Sequence, residues 1–440
     1  GERADAHAFV PQAVANGAAA VLAQRPLAGA GVPVVVVPDT RAAMAPVARL
    51  VHGRPDHSLS IVGVTGTNGK TTVVHICDAI WESVGRPHGI IGTLGAARGG
   101  SPVELGRTTP ESSDLQRLLA DMVANGVRDV AMEVSSHALE LHRADAIEFA
   151  AVGFTNLSQD HLDFHGTMDA YLAAKQKLFR EDRAHVAVIN VDDPAGRATA
   201  EATRLPVVSV AIDRPADLRA TDVRPTAQGT LFTIRAGGSE LTAALPLLGT
   251  FNVANALVAL GLTRSTGTDL AAAVDGLETM PPIRGRMEVV PHPGSTTVVV
   301  DYAHTPDAID VVLSSVARLG FRRRIAVVGA GGDRDAGKRF AMGRAAAGAD
   351  ITIVTTDNPR TEDPVEIARS VQEGALSRAT ADVRVVLDRA EAIGAAIEVA
   401  GDGDVVLILG KGHEQGQDID GTVHPFDDAT VARSFLGTTA

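Results

Sequence analysis

The chain has 440 residues, a length that suits two or three domains with full cores. Its 45% hydrophobic and 21% charged residues are those of an ordinary soluble globular protein. A net charge of −13 excludes a basic nucleic-acid footprint, a single cysteine (Cys77) excludes an internal disulfide and fits a reducing compartment, and no apolar run reaches the length of a membrane span.

Residues 1–58 read as a small α/β unit. Phe9, Val10, Ala13, Val14 and Ala18 fall at helical spacing, and Ala19-Ala20-Val21-Leu22 reads as a strand. Val34–Val37, bracketed by Pro33 and Pro38, reads as a second, buried strand. Thr40–Val51 reads as a helix, and His52–Ser60 as a linker. These elements are few for a domain, so the expectation is that an N-terminal portion is missing.

Residues 59–282 open on Ile61-Val62-Gly63-Val64-Thr65-Gly66-Thr67-Asn68-Gly69-Lys70-Thr71-Thr72, a buried strand followed by a glycine turn, a lysine and hydroxyls. Val73, Val74, Ile76 and Ile80 then mark a helix. Loop amides and a helix N-terminus grip phosphate, Lys70 reaches the outer phosphates, and the Thr71 hydroxyl suits Mg²⁺. The strict phosphate-loop pattern misses by one place, because Val64 stands where its first glycine belongs. Strands at 60–65, 129–134, 150–154, 185–191 and 206–212, with helical patterns between most of them, predict a mainly parallel sheet. Residues 221–248 predict a short antiparallel excursion, and Asn252–Thr263 a helix.

Glu133 ends an apolar strand just before Ser135, Ser136 and His137, where it serves either a metal or a helix cap. His161, within Asn156–Gly166, is a metal ligand, a substrate-orienting group or a structural histidine. Lys175 falls on the helical face of Met168, Tyr171, Leu172, Leu178 and Phe179. A lysine buried there loses its proton readily, and a neutral amine adds CO₂ to give an anionic carbamate. The alternative is a stem that carries the charge out to water.

Residues 283–440 alternate more regularly. Strands are predicted at 296–300, 324–328, 351–355, 383–387 and 404–409, and helices at 306–319, 339–347, 364–376 and 389–400. Polar clusters follow four of the strands: Asp301-Tyr302-Ala303-His304, Gly331–Asp335, Asp357-Asn358-Pro359-Arg360 and Gly410-Lys411-Gly412-His413-Glu414. The carboxyl ends of parallel strands carry the ligand site, so these clusters predict one functional rim.

Gly66–Thr72, Glu133–His137, Asn156–Gly166, Ala173-Ala174-Lys175, Gly285-Arg286-Met287-Glu288 and the C-terminal clusters together resemble the Mur ligases, in order and spacing, over essentially the whole chain. Asp357–Arg360 resembles the signature of members that add meso-diaminopimelate rather than lysine. The resemblance implies a three-domain α/β fold: a partial UDP-substrate domain (1–58), a phosphate-loop ATPase domain (59–282) and a Rossmann-like amino-acid domain (283–440). It departs at the start, where the family's first strands and uridine-contacting serine motif do not precede Gly1, and where Ala6 replaces an expected glycine.

It implies a cytoplasmic, monomeric, ATP-dependent ligase of peptidoglycan synthesis. The substrates would be UDP-MurNAc-L-Ala-D-Glu, meso-diaminopimelate and ATP, with Mg²⁺ and a CO₂-derived carbamate on Lys175. No nucleic acid or membrane insertion is expected. Lys70, Lys175, His161 and Arg286 would be catalytic. Gly66, Thr67, Asn68, Gly69, Lys70, Thr71, Thr72, Asn252, Arg286, Asp301 and His304 would bind ATP. Thr108, Thr109, Ser135 and Arg143 would hold the muramyl dipeptide, and Arg334, Asp357, Asn358, Arg360, Gly410 and Glu414 the diaminopimelate. Thr71, Glu133, His161 and carbamylated Lys175 would surround the metal. The rivals are a lysine-adding ligase, a folylpolyglutamate synthetase and a non-catalytic nucleotide-binding partner. The last would show decay at Lys70, Glu133 or Lys175, and all three are present.

Overall fold

The computed structural model describes residues 5–98, 101–226, 228–378 and 382–437. Its largest sheet has eleven strands. The middle is parallel and runs, in spatial order, through Leu218–Thr226, Val207–Ala211, Ala187–Asn190, Ala151–Phe154, Ser60–Thr65, Asp129–Glu133 and His88–Gly92. Strand side chains alternate between faces, which places Val62 and Val64 against the helices Lys70–Ser83 and Phe251–Ser265, and Ile61 against Ser112–Ala124. The predicted antiparallel excursion is the two strands Gly229–Ala236 and Ser239–Leu245, folded back on Leu218–Thr226.

The second sheet runs Glu288–Val289, Thr297–Asp301, Val405–Leu409, Arg324–Val328, Ile351–Val354, Asp382–Val385. All its pairings but the first are parallel. The four polar clusters therefore leave four neighbouring strands at the same edge, as the strand-end rule requires. Beneath this edge Arg389 and Asp428 form a fully buried, two-pronged ion pair with both bonds at 2.7 Å.

Three features depart from expectation. Val34–Val36 pairs in parallel with Val21–Ala23, and the helix Thr40–Val51 packs against the latter strand, where Ala23 is buried, but Val35 and Val36 are 53% and 49% exposed. An apolar run marks a strand without saying that anything packs on it. The strands His88–Gly92, Gly95–Arg98 and Ser101–Val103 were not foreseen, because Gly89, Gly92 and Gly95 interrupt the pattern. The hairpin Gly416–Ile419/Thr422–Pro425 is polar on both strands and carries no apolar period. Among the described residues no helix is long and apolar enough to cross a membrane.

Candidate active site

A cleft of about 530 Å³ opens between the two sheets. One wall is the loop Thr67–Thr72 with Thr155–Ser158; the other is Arg286 with Asp301–His304. The loop is braced from below. Thr67 N donates to Asn156 O (2.8 Å), Asn68 N to Asn156 Oδ1 (3.0 Å), and Thr155 Oγ1 to Asn68 O (2.6 Å). Gly69 takes a left-handed backbone (φ 87°) at the start of the helix Lys70–Ser83, and no side chain caps that end. The first amides of a 14-residue helix thus face the cleft, as a phosphate site requires. Lys70 Nζ donates to the Gly66 and Thr67 carbonyls (3.0 and 2.9 Å), and burial lowers its pKa.

Glu133 is the hub of the floor. Its carboxylate accepts from Thr71 Oγ1 (2.9 Å), Thr93 N (2.7 Å) and Thr93 Oγ1 (3.1 Å). A methyl group at Gly92 would fall 2.5 Å from Glu133 Oε1, so that glycine keeps the carboxylate's space open. Arg286 lies over the Tyr302 ring (4.6 Å) and donates through Nη2 to Thr71 Oγ1 (3.1 Å), joining the two walls.

Lys175 is 1% exposed. Its Nζ donates to Gly66 O (2.8 Å) and sits 4.2 Å from the centre of the Tyr171 ring. Burial, then the nearby Lys70 charge, push its pKa well below that of an ordinary lysine. The stem does not carry this amine to water. His161 takes a left-handed backbone (φ 52°) and packs edge-on against His137 (4.7 Å). Partial desolvation in the cleft lowers its pKa, against the pull of the Asp160 carboxylate 3.3 Å away. Hydroxyl and carboxylate oxygens with one imidazole form a donor set that fits Mg²⁺.

The remaining predicted residues divide. Thr108 and Ser135 line the cleft. Thr109 is buried and donates to Glu133 O (2.9 Å), while Arg143 pairs with Glu111 (3.1 Å) away from the lining residues. Asp301 and His304 line the cleft, and both Asp301 oxygens are also engaged by the amides of Met287 (2.7 Å) and Ala303 (2.9 Å). The two asparagines of the helix Phe251–Ser265 are bonded to each other, Asn255 Nδ2 donating to Asn252 Oδ1 (2.9 Å). Asn252 is buried and donates to Leu248 O (2.8 Å), whereas Asn255, one helical turn on, faces the cleft.

The C-terminal rim adjoins this cleft through Tyr302, whose ring is 5.0 Å from that of His413. Asn358 Nδ2 donates to Glu414 Oε2 (2.8 Å), and Asp357 lies beside Gly410. Arg360 holds a left-handed backbone (φ 51°), its amide and carbonyl bonded to Asp418 O (3.0 Å) and Asp420 N (2.7 Å) of the hairpin. Its Nη1 donates to Gly332 O (2.6 Å). Arg334 is exposed at the same rim. Thr93 and Asn255 were not singled out from the sequence, and Tyr302 only as a member of its strand-end cluster. A helical asparagine three places from a predicted one was the available signal for Asn255, and Thr93 had none.

Both portions of the chain that flank the cleft match known protein families. The family described as Mur ligase middle domain matches residues 64–263, and that described as Mur ligase, glutamate ligase domain, matches residues 285–412. A Geobacillus thermodenitrificans protein named UDP-N-acetylmuramoyl-L-alanyl-D-glutamate–2,6-diaminopimelate ligase is 43% identical, over 98% of this chain and 89% of its own. A Streptomyces coelicolor protein of the same name is 43% identical over 98% and 87%. A solved structure carrying that name superposes with a TM-score of 0.71 at 36% identity, covering 98% and 89%. Folylpolyglutamate synthase of Mycobacterium tuberculosis shares the fold, with a TM-score of 0.71 at 19% identity over 90% and 96%.

Proposed function

The chain belongs to the Mur ligase family, and from that membership we infer that it is the ATP-dependent ligase that joins meso-diaminopimelate to UDP-N-acetylmuramoyl-L-alanyl-D-glutamate in peptidoglycan precursor synthesis. The observation that carries the reading is the adjacency of a phosphate loop and an amino-acid rim built from Asp357–Arg360 and Glu414.

A carboxylate is a poor acylating agent, so ATP first converts the D-glutamate γ-carboxylate to an acyl phosphate. The diaminopimelate amine then attacks, and phosphate leaves. Lys70 gives up its carbonyl partners to neutralise phosphate oxygens, and Arg286, held over Tyr302, supplies a second cation from the opposite wall. Asn255 faces the adenosine side with His304 and Asp301, and Thr108 and Ser135 face the muramyl substrate. Thr71, Glu133, His161 and a carbamate on Lys175 would hold Mg²⁺, which supplies charge neutralisation at the reacting oxygens when bound. The carbamate forms when the neutral Nζ bonds to the carbon of CO₂ and loses one proton. Rotation of the 283–440 portion against the 59–282 portion brings amine and acyl phosphate together and excludes water. The reading places the enzyme in the cytoplasm, working as a monomer.

Phosphate release, measured with the UDP-muramyl dipeptide and each amino acid in turn, tests this. Release is expected to be efficient with meso-diaminopimelate, poor with lysine and absent with glutamate. A preference for lysine, or release without the dipeptide, would overturn it. Gly92→Ala displaces the Glu133 carboxylate and is expected to lower kcat about 10²-fold, as an ångström-scale misplacement does, with nucleotide affinity kept. An unchanged kcat would show that Glu133 needs no such space.

A further inference from the structure

Lys411 is 0% exposed, yet it lies at the end of the strand Val405–Leu409, inside the rim. Its Nζ donates to Asn358 Oδ1 (3.1 Å) and Glu414 Oε2 (3.1 Å) and lies 3.6 Å from Asp357 Oδ1. That Asp357 oxygen is buried and has no hydrogen-bond partner. Asn358 completes a triangle, since its Nδ2 donates to the same Glu414 Oε2 (2.8 Å).

An ammonium has donors only. By occupying Asn358 Oδ1 together with the Asp418 amide (2.9 Å), Lys411 fixes which way the amide of Asn358 points and so turns its NH₂ onto Glu414. Both bonds to Glu414 land on Oε2, and among the described residues Oε1 receives none. The Glu414 side chain is about one-third exposed. One carboxylate oxygen is therefore pinned from behind and the other is presented to the rim. Lys411 also offsets one of the two carboxylates, Asp357 and Glu414, and leaves a single negative charge for an incoming ammonium.

We propose that Lys411 is a positioning residue for amino-acid selection: it orients Asn358 and Glu414 so that one carboxylate oxygen and one net negative charge meet the ammonium of the amino-acid substrate. The inference rests on the ligase reading above and deepens it. Lys411 itself touches no substrate. Truncating it leaves two carboxylates without their buried cation and leaves Asn358 Oδ1 held by the Asp418 amide alone.

The test is steady-state kinetics of the full chain with Lys411→Met and Lys411→Gln. KM for meso-diaminopimelate is expected to rise about 30-fold, as for a desolvated charge contact, with kcat at saturation within about threefold and KM for ATP unchanged. The double variant Lys411→Met/Glu414→Gln should cost no more than Glu414→Gln alone, because the two act as a unit. Additive losses, an unchanged KM, or loss of nucleotide binding in both single variants would overturn the proposal, the last by marking Lys411 as a residue of the fold only. If the wild type prefers another amino acid, the substrate reading fails by itself, and the Lys411 variants are then read on the KM of that amino acid.

Discussion

Lys175→Ala is expected to reduce ligation by about 10³-fold, the scale of several kcal/mol of charge stabilisation, and short carboxylic acids are expected to restore part of it. The amine is buried, its pKa is well below the usual lysine value, and its polar contact is the Gly66 carbonyl at 2.8 Å. Such an amine is a nucleophile, and a carbamate formed there would place an anion near the Lys70 charge. The alternative role is a brace, in which the ammonium only holds the phosphate loop through Gly66. The two roles separate cleanly. Acetate or propionate replaces a lost anion but cannot replace a lost donor. Activity unaffected by the substitution, or a deficit that no carboxylic acid relieves, would remove the carbamate from the mechanism.

Arg360→Ala is expected to lower kcat/KM for meso-diaminopimelate by about 30-fold or more while affecting lysine far less. The two amino acids differ by one carboxylate, and selection requires a fixed cation opposite it. A surface pair with Glu362 or Asp363 would occupy Arg360 and leave it no such role. The structure gives Glu362 to Arg339 instead, at 2.8 and 2.9 Å. Arg360 faces Asp418 only at 4.0 Å, and its firm contact is a neutral carbonyl, Gly332 O. A guanidinium so placed is free to take a carboxylate. Losing one partner of a desolvated charge pair costs about 2–5 kcal/mol, and ~1.4 kcal/mol is tenfold. Competition between the two amino acids in wild type and variant measures the change, and an unaltered preference would mean that another group reads the carboxylate.

Much of this was legible because the chemistry rides on regular elements. Val405–Leu409 and Thr297–Asp301 are apolar runs that could be placed without tertiary knowledge, and their polar successors fell on one rim by the rule for parallel strands. Lys175 was found from helical spacing alone. Where two residues share a helix, spacing could not choose between them, and Asn252 was taken where Asn255 faces the cleft. Lys411 was read only as part of a loop cluster, because burial of a loop residue depends on the tertiary contacts around it, here Asp357, Asn358 and Glu414. Val34–Val36 failed in the opposite sense, since hydrophobicity identifies a strand but not its neighbours.

The ion pair of Arg389 with Asp428 also bears on how the chain is made. Arg389 leaves the ribosome 39 residues before its partner. At about 5–20 residues per second that interval is roughly 2–8 s. Until Asp428 arrives, seating the guanidinium beneath the sheet would bury an uncompensated charge, at a cost of about 3–5 kcal/mol. The strands 297–301, 324–328, 351–354 and 405–409 are all synthesised by then, yet the layer under them cannot close. Closing this side of the sheet is thus expected to wait for the helix Asp428–Phe435 to dock.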